Sequence, residues 1–518
     1  MRNIINKHCN ILRASFISGA LITTCILNSE AQQSPNIVLF LVDDMGWQDT
    51  SVPFWDCMTD LNKRYHTPNM EKLAEEGIKF TQAYACTVSS PSRVSLMTGM
   101  NAARHRVTNW TLERNASNDA PDSVLEFPQW NVNGLQPVDS IEHSVYVTPL
   151  PQILHDNGYY TIHTGKAHFG AIGTPSANPE NIGFDVNIAG HAAGGPGSYL
   201  GERNYSARWR GGGTVWDVPG LEKYHGTDTY LTEALTREAI LALKKPLEKG
   251  FPFFLYMAHY AVHAPIEADK RFIQKYLDEG MNEIEASYAS MIEGMDKSLG
   301  DLMNFLDENN LSENTIIIFM SDNGGLSAHA RGGKPHTHNR PLASGKGSAY
   351  EGGIRVPMLV KWPKIKKRGC VCETPVIIED FFPSILEMAG ITNYRSVQSV
   401  DGKSFVSLLK EQKPAAFKRA LFWHYPNKWD AEGPGIGTTS TIRKGDWKMV
   451  YWYINGKKEL FNLAEDIGEK QDLSHKYPKK VEKLSKELGN YLRLVHAQRP
   501  SFKKTGKPVP WPDEKWEL

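Results

Sequence analysis

The chain has 518 residues, with 58 basic and 58 acidic side chains and a net charge of zero. That balance gives no whole-chain case for nucleic acid or an anionic membrane surface as partner. With 41% hydrophobic and 22% charged residues it has an ordinary globular composition, and its length exceeds one small core: either several units or a large α/β domain with an appendage fits.

Residues 1–31 differ from the rest. Arg2, Lys7 and Arg13 precede the apolar run "ASFISGALITTCIL", and Ser29 and Ala31 occupy the small-residue positions of a cleavage site. This pattern predicts a secretory signal cut after Ala31 and an exported, periplasmic protein. Cys25 offers a less favoured lipoprotein anchor. No later run is apolar for long enough to suggest a membrane helix. Beyond the leader stand Cys57, Cys86, Cys370 and Cys372, too few for a disulfide scaffold in so long a chain. "GCVCE" lacks a second Cys/His pair at zinc spacing.

Four apolar runs follow, each ending in polar residues. "NIVLFLV" ends in Asp43-Asp44, and "GYYTIHT" in Gly165-Lys166, with His168 just beyond. "PFFLYMAHY" leads to His263, and "TIIIFM" ends in Ser321-Asp322-Asn323. Short β-branched and aromatic runs bounded by Gly, Asp and Asn predict strands buried on both faces, hence a mainly parallel sheet between helices. The helices are predicted in "TPNMEKLAEEG", with Thr67 as N-cap and Pro68 opening the first turn, and from Tyr288 to Leu306 at helical spacing. Asn109 to Thr148 reads as a long irregular segment. After about Leu409 the short runs "ALFWHY", "TSTIRKG", "DWKMVYWYI" and "KELFNL" and an amphipathic stretch from Tyr477 predict a smaller α+β subdomain, an antiparallel sheet with one helix. The expected division is 1–31 leader, 32–410 catalytic domain, 411–518 C-terminal subdomain.

In open α/β sheets the ligand site lies beyond the carboxyl ends of the strands, where the four polar strand ends would converge. Asp43, Asp44, Asp322 and Asn323 form an all-oxygen donor set suited to a hard divalent ion, Ca²⁺ or Mg²⁺. Arg93, Lys166, His168, His263 and Lys346 add cations or proton carriers. A divalent ion facing several cations suits a phosphate or sulfate ester. Ser89, in "SSPSRVSLMTG", falls at the mouth of a predicted helix, where free N–H groups favour an anion. A plain serine lacking an adjacent base is a weak nucleophile, which leaves a gap in the mechanism.

The pattern S-x-P-S-R-x-x-L-x-T-G, here Ser89 through Gly99, resembles the signature of the formylglycine-dependent (type I) sulfatases. "LVDDMG", "TGKAHFG", "HYAVHAP", "MSDNGG" and "GKGSAYEGGIRVP" follow in that family's order, and the likeness extends into the tail. The resemblance implies an alkaline-phosphatase-like fold and conversion of Ser89 to formylglycine by a serine-accepting, anaerobic-type maturase. It implies one Ca²⁺, with Mg²⁺ less favoured, held by Asp43, Asp44, Asp322, Asn323 and the modified Ser89. The hydrated aldehyde would attack sulfur, Lys166 and Lys346 would bind sulfate oxygens, and Arg93 would support the formylglycine. His263 would protonate the leaving alcohol, and His168 would help deprotonate the second hydroxyl. Ala167 and Phe169 depart from the Trp and Leu common among relatives, which puts local packing in doubt rather than the chemistry.

The implied activity is a sulfuric ester hydrolase acting on a sulfated carbohydrate. A hexose or hexosamine of a host glycan is preferred, with galactose or N-acetylgalactosamine favoured and exo action expected. Candidate substrate contacts are His105, Arg106, Asn109, Trp110, the loop through Trp130, His191, His336 and His338. The alternatives are a phosphodiesterase or phosphonate hydrolase of the same superfold, which would need a second metal site, or a non-catalytic glycan-binding protein if Ser89 stays serine.

Overall fold

A computed structural model of the chain describes residues 34–410 and 419–516. The expected leader and the expected boundary at 410/411 touch residues outside that range. The central sheet is built from β1 (Asn36–Val42), β2 (Ile78–Tyr84), β3 (Tyr160–Gly165), β4 (Val186–Ile188), β5 (Phe253–Ala258), β6 (Thr315–Ser321), β7 (Arg355–Lys361) and β8 (Cys370–Cys372). Their order is β8-β2-β7-β6-β1-β5-β3-β4, with a two-residue strand, Val376–Ile377, also paired to β2.

The sheet is mixed. β6, β1, β5 and β3 are parallel neighbours, whereas β7 runs antiparallel to both β6 and β2. Two reversals restore β2 to the direction of β6. Polar residues following β1, β2, β3, β5 and β6 and preceding β7 therefore all emerge at one edge of the sheet. Adjacent strands lie about 4.8 Å apart, so residues far apart in sequence meet there.

All seven residues of β1 are buried, as its unbroken apolar run predicts. Ile37, Leu39 and Leu41 pack to one face with Val94, Leu96 and Met97; Val38, Phe40 and Val42 pack to the other with Leu231, Leu235, Ile292 and Met295. The first face is covered by α2 (Ser89–Thr98), the second by α1 (Pro68–Glu76), α3 (Leu231–Lys249) and α4 (Glu283–Glu308). No helix among the described residues is long and apolar enough to cross a membrane.

The α1 start carries a correction. Thr67 sits at the N-cap position, but its hydroxyl meets Thr50 and Ser51 instead of the helix. Asp296 of α4 accepts from the Asn69 and Met70 N–H groups in its place. The cap is supplied by a side chain more than two hundred residues away, so the helix start is stabilised by tertiary packing.

The C-terminal sheet is antiparallel as predicted: β9 (Ala420–Tyr425), β10 (Thr439–Lys444), β11 (Trp447–Trp452) and β12 (Lys458–Asn462) in sequential order. The helix α5 (Pro478–Leu494) buries Leu484, Leu488 and Leu492 against Ile442, Met449 and Leu460. This sheet is tied to the larger one by polar contacts. Trp423 Nε1 donates to the Ala85 carbonyl at 2.9 Å. The fully buried Lys448 ammonium pairs with Glu351 at 3.0 Å and Glu469 at 2.8 Å.

Candidate active site

Each element of the Ser89–Gly99 segment has a structural task. Ser92 Oγ accepts from Cys86 N and donates to the Val88 carbonyl, folding the turn that delivers Ser89 to the start of α2. Thr98 Oγ1 bonds the Val94 carbonyl, and Gly99 closes the helix at φ +69° with its N–H on Ser95 O. A side chain at Gly99 would meet Val400 and Phe382 as well as the positive φ. Every residue of α2 is buried, so Ser89 lies at the floor of a cavity rather than on an open surface mouth.

Ser89 Oγ lies 3.2 Å from Asp43 Oδ1 and 3.1 Å from Asn323 Oδ1, and accepts from Lys166 Nζ at 3.0 Å. Lys166 also contacts Asp43 Oδ2 at 2.6 Å. Arg93 donates through Nε to Asp322 at 2.9 Å and through Nη1 to the Lys166 carbonyl at 2.7 Å. Lys346 pairs with Asp44 at 2.8 Å. Asn323 Nδ2 donates to Asp44 Oδ1, which turns its Oδ1 toward Ser89. Thus β1, β2, β3, β6 and the segment before β7 contribute to one constellation.

Carboxylate oxygens of Asp43, Asp44 and Asp322 lie within 4.8 Å of one another, all buried. With Asn323 Oδ1 and Ser89 Oγ they form a wholly oxygen donor set, the kind a hard divalent cation takes. Burial and then the neighbouring Asp322 charge push Asp43 up to about 8. Burial would also raise Asp44, but Lys346, His263 and Lys166 hold it well below the usual carboxylate range. Crowded acids of this kind are relieved by a cation, so the residues fit a divalent ion.

His263 lies 3.8 Å from Asp44 through Nε2, and its Nδ1 bonds the Ala264 carbonyl at 2.7 Å. Burial and then Lys346 push it down to about 3. His168 Nε2 bonds the Thr111 carbonyl at 2.9 Å, which leaves Nδ1 as the unpartnered nitrogen. Burial and the Lys166 charge hold His168 well below its ordinary value. Ala167 and Phe169 are buried; Phe169 packs against His163 and Tyr256 below the site.

A cavity of about 200 Å³ opens above Ser89. Of the expected substrate contacts, Trp110 lines it. The others do not. His105 is fully buried, bonded to Ser95 Oγ through Nε2 and to Val107 N through Nδ1, a core role. Asn109 ties Asp119 to Tyr425. Arg106 donates to the His496 carbonyl, and Trp130 is buried with its N–H on Ser117 and Asp119. His191 packs near Tyr260, His338 bonds Ser327 and the Gly332 carbonyl, and His336 packs against Gly433. Trp216, His329, Trp429 and Asp430 line the cavity and had no local signal pointing to it. They come from a loop of short helical turns, the segment after β6 and the C-terminal subdomain.

Fold and site together define an α/β enzyme of alkaline-phosphatase-like architecture, with an acidic cluster and paired lysines at the sheet's carboxyl edge. Residues 35–391 match the sulfatase family, and residues 345–498 match the C-terminal region described as that of N-sulphoglucosamine sulphohydrolase. The chain belongs to the sulfatase family and is a sulfuric ester hydrolase. It is 28% identical to a protein named Sulfatase from Formosa agariphila, over 99% of this chain and 98% of that protein. It is 29% identical to N-acetylgalactosamine-6-sulfatase of Homo sapiens, over 88% and 85%. Among solved structures it resembles Ps i-CgsB in complex with k-i-k-neocarrahexaose, with a TM-score of 0.70, 28% identity, and coverage of 89% and 93%. The fold alone is shared with a phosphonate monoester hydrolase of Agrobacterium radiobacter, at 19% identity and a TM-score of 0.58.

Proposed function

We propose that the protein is an exported hydrolase of carbohydrate sulfate esters, working through a formylglycine made from Ser89 and one divalent cation, Ca²⁺ in preference to Mg²⁺. The observation that carries this reading is the position of Ser89: its Oγ faces Asp43, Asn323 and Lys166 at the floor of a cavity. Relatives named as N-acetylgalactosamine-6-sulfatase and a neighbour bound to neocarrahexaose support a sulfated sugar, with galactose or its N-acetylamino form favoured. The leader pattern supports export to the periplasm, and the serine at position 89 supports a maturase that accepts serine.

The oxidised Ser89, when formed, supplies the hydrated nucleophile, and the cation would be held by Asp43, Asp44, Asp322 and Asn323. The chain's own groups do the rest. Lys166 and Lys346 are placed to hold sulfate oxygens once Asp43 and Asp44 turn their charge to the cation. Arg93 spans Asp322 and the Lys166 carbonyl and so sets the position of both. His263, fixed by its Nδ1 contact, presents Nε2 to the leaving alcohol oxygen. It must carry a proton for that step, and the negative charge of a bound sulfate ester favours the protonated form. His168 Nδ1 is free to accept a proton from the nucleophile side.

The test is the mass of the Ser89 tryptic peptide from cells carrying a serine-accepting maturase. The expected result is the loss of one pair of hydrogens at Ser89. An unmodified serine in a preparation that releases sulfate would overturn the mechanism. An unmodified serine in an inactive protein that binds sulfated glycans would favour the binding reading.

A further inference from the structure

The wall of the cavity differs in chemistry from its floor. The floor is Ser89, Asp44, Lys166 and Lys346, all buried; the outer lining includes the exposed His329 and Asp430. Trp429, also in the lining, is buried. Its indole lies so close to Gly347 that a Cβ there would stand 2.1 Å from Cε3, and Gly347 holds φ +84°. Trp429 also packs with Val88, the neighbour of Ser89, and lies 5.7 Å from the His329 ring. The C-terminal subdomain thus brings an aromatic face to the cavity beside both Ser89 and Lys346. Asp430 follows it, with a carboxylate that has no hydrogen bond or ion pair among the described residues.

Two features of the lining bear on the charge of a sugar held there. The lysines lining the cavity, Lys166 and Lys346, are the two that the reading above gives to the single ester sulfate, and among the described residues no other lysine or arginine lines it. A second anionic group on the same sugar ring would therefore find no cation and would face Asp430. A hydroxyl or amide N–H would instead find in Asp430 an open acceptor.

We propose that Trp429 and Asp430 form a sugar-selecting wall that admits rings bearing a single sulfate and otherwise neutral substituents, and rejects rings carrying a second sulfate or a carboxylate. The indole covers one face of the ring. Asp430 accepts from a sugar donor and repels a further anion. This rests on the sulfate-ester reading above.

The experiment is kcat/KM for sulfate release by protein with oxidised Ser89, on a monosulfated N-acetylhexosamine and its disulfated counterpart, for wild type, Asp430→Asn, Trp429→Phe and Trp429→Ala. Wild type should prefer the monosulfated sugar. Asp430→Asn should narrow that preference by roughly threefold to tenfold, mainly through KM, with the difference shrinking at high salt. Trp429→Phe should retain sugar binding that Trp429→Ala loses. Equal effects of Asp430→Asn on both sugars, or a wild-type preference for the disulfated one, would overturn the wall. Failure of oxidised wild type to release sulfate from either sugar or from an aryl sulfate would overturn the sulfate-ester reading itself.

Discussion

Lys448 offers a sharp test of how the two sheets hold each other. Its ammonium is fully buried between Glu351, on the short helix before β7, and Glu469, on the loop after β12. Lys448→Met keeps much of the volume and removes the charge. Glu351 would retain Arg355 and the Tyr84 hydroxyl, so the larger loss falls on Glu469. Breaking a buried pair by removing one partner costs about 3–5 kcal/mol. A unit of this size has an unfolding entropy near 1 kcal/mol per kelvin, so Tm should fall by roughly 3–5 °C. The loss should depend on pH. Burial already lifts Glu469 to about 7 against the pull of Lys448, and removing Lys448 lifts it further. A folded-state value above the unfolded one means stability is present below about 4.5 and is lost as pH rises through the folded value. Calorimetry should therefore find a smaller deficit at pH 5 than at pH 8, still growing above pH 8 by up to about 1.4 kcal/mol per pH unit, with Lys448→Met/Glu469→Gln recovering most of it. A deficit under about 1 kcal/mol at pH 8, or one equal at both pH values, would refute the reasoning.

Two further outcomes follow from the site and its surroundings. His263→Ala should cut turnover of alkyl sugar sulfates by roughly a hundredfold or more, and of activated aryl sulfates much less; parallel losses would remove His263 as the proton donor. Glu379, buried and then repelled by Asp380, is pushed up to about 8. Its neutral form favours the fold, so stability falls as pH rises from about 4.5 toward 8. Glu379→Gln, which can keep the Asn101 contact at 2.8 Å, should raise Tm relative to wild type at pH 8 more than at pH 5, measured by scanning fluorimetry.

The clustering of residues at the cavity floor was legible because strand ends carry it. Continuous apolar runs before Asp43, Lys166 and Asp322 imply doubly buried parallel strands, and parallel strands deliver their ends to one edge. The antiparallel β7 left no comparable trace, yet it is why Lys346, preceding its strand, meets residues that follow theirs. The wall was not legible. Trp429 and Asp430 reach the cavity from beyond residue 420 through packing on Gly347, and no local pattern distinguishes them from structural residues. The histidines at 105, 191, 336 and 338 do not line the cavity, and for His105 a structural reason is visible. A buried imbalance of donors and acceptors recruits a histidine as readily as a ligand does, as His105 shows between Ser95 and Val107. The Thr67 cap failed similarly, because the competing acceptor, Asp296, lies on another helix.

In the proposed reaction a Ser89-derived group, working with a cation among Asp43, Asp44 and Asp322, splits a sulfate ester. The direct measurement is inorganic sulfate released from a monosulfated galactose or N-acetylgalactosamine by oxidised enzyme, its Ser89→Ala variant, and enzyme stripped by a chelator. Free sulfate from the first, none from the variant, and recovery of the stripped enzyme on adding Ca²⁺ is the predicted result. Undiminished release from Ser89→Ala, or no release by oxidised enzyme that cleaves the matching phosphate ester, would contradict it.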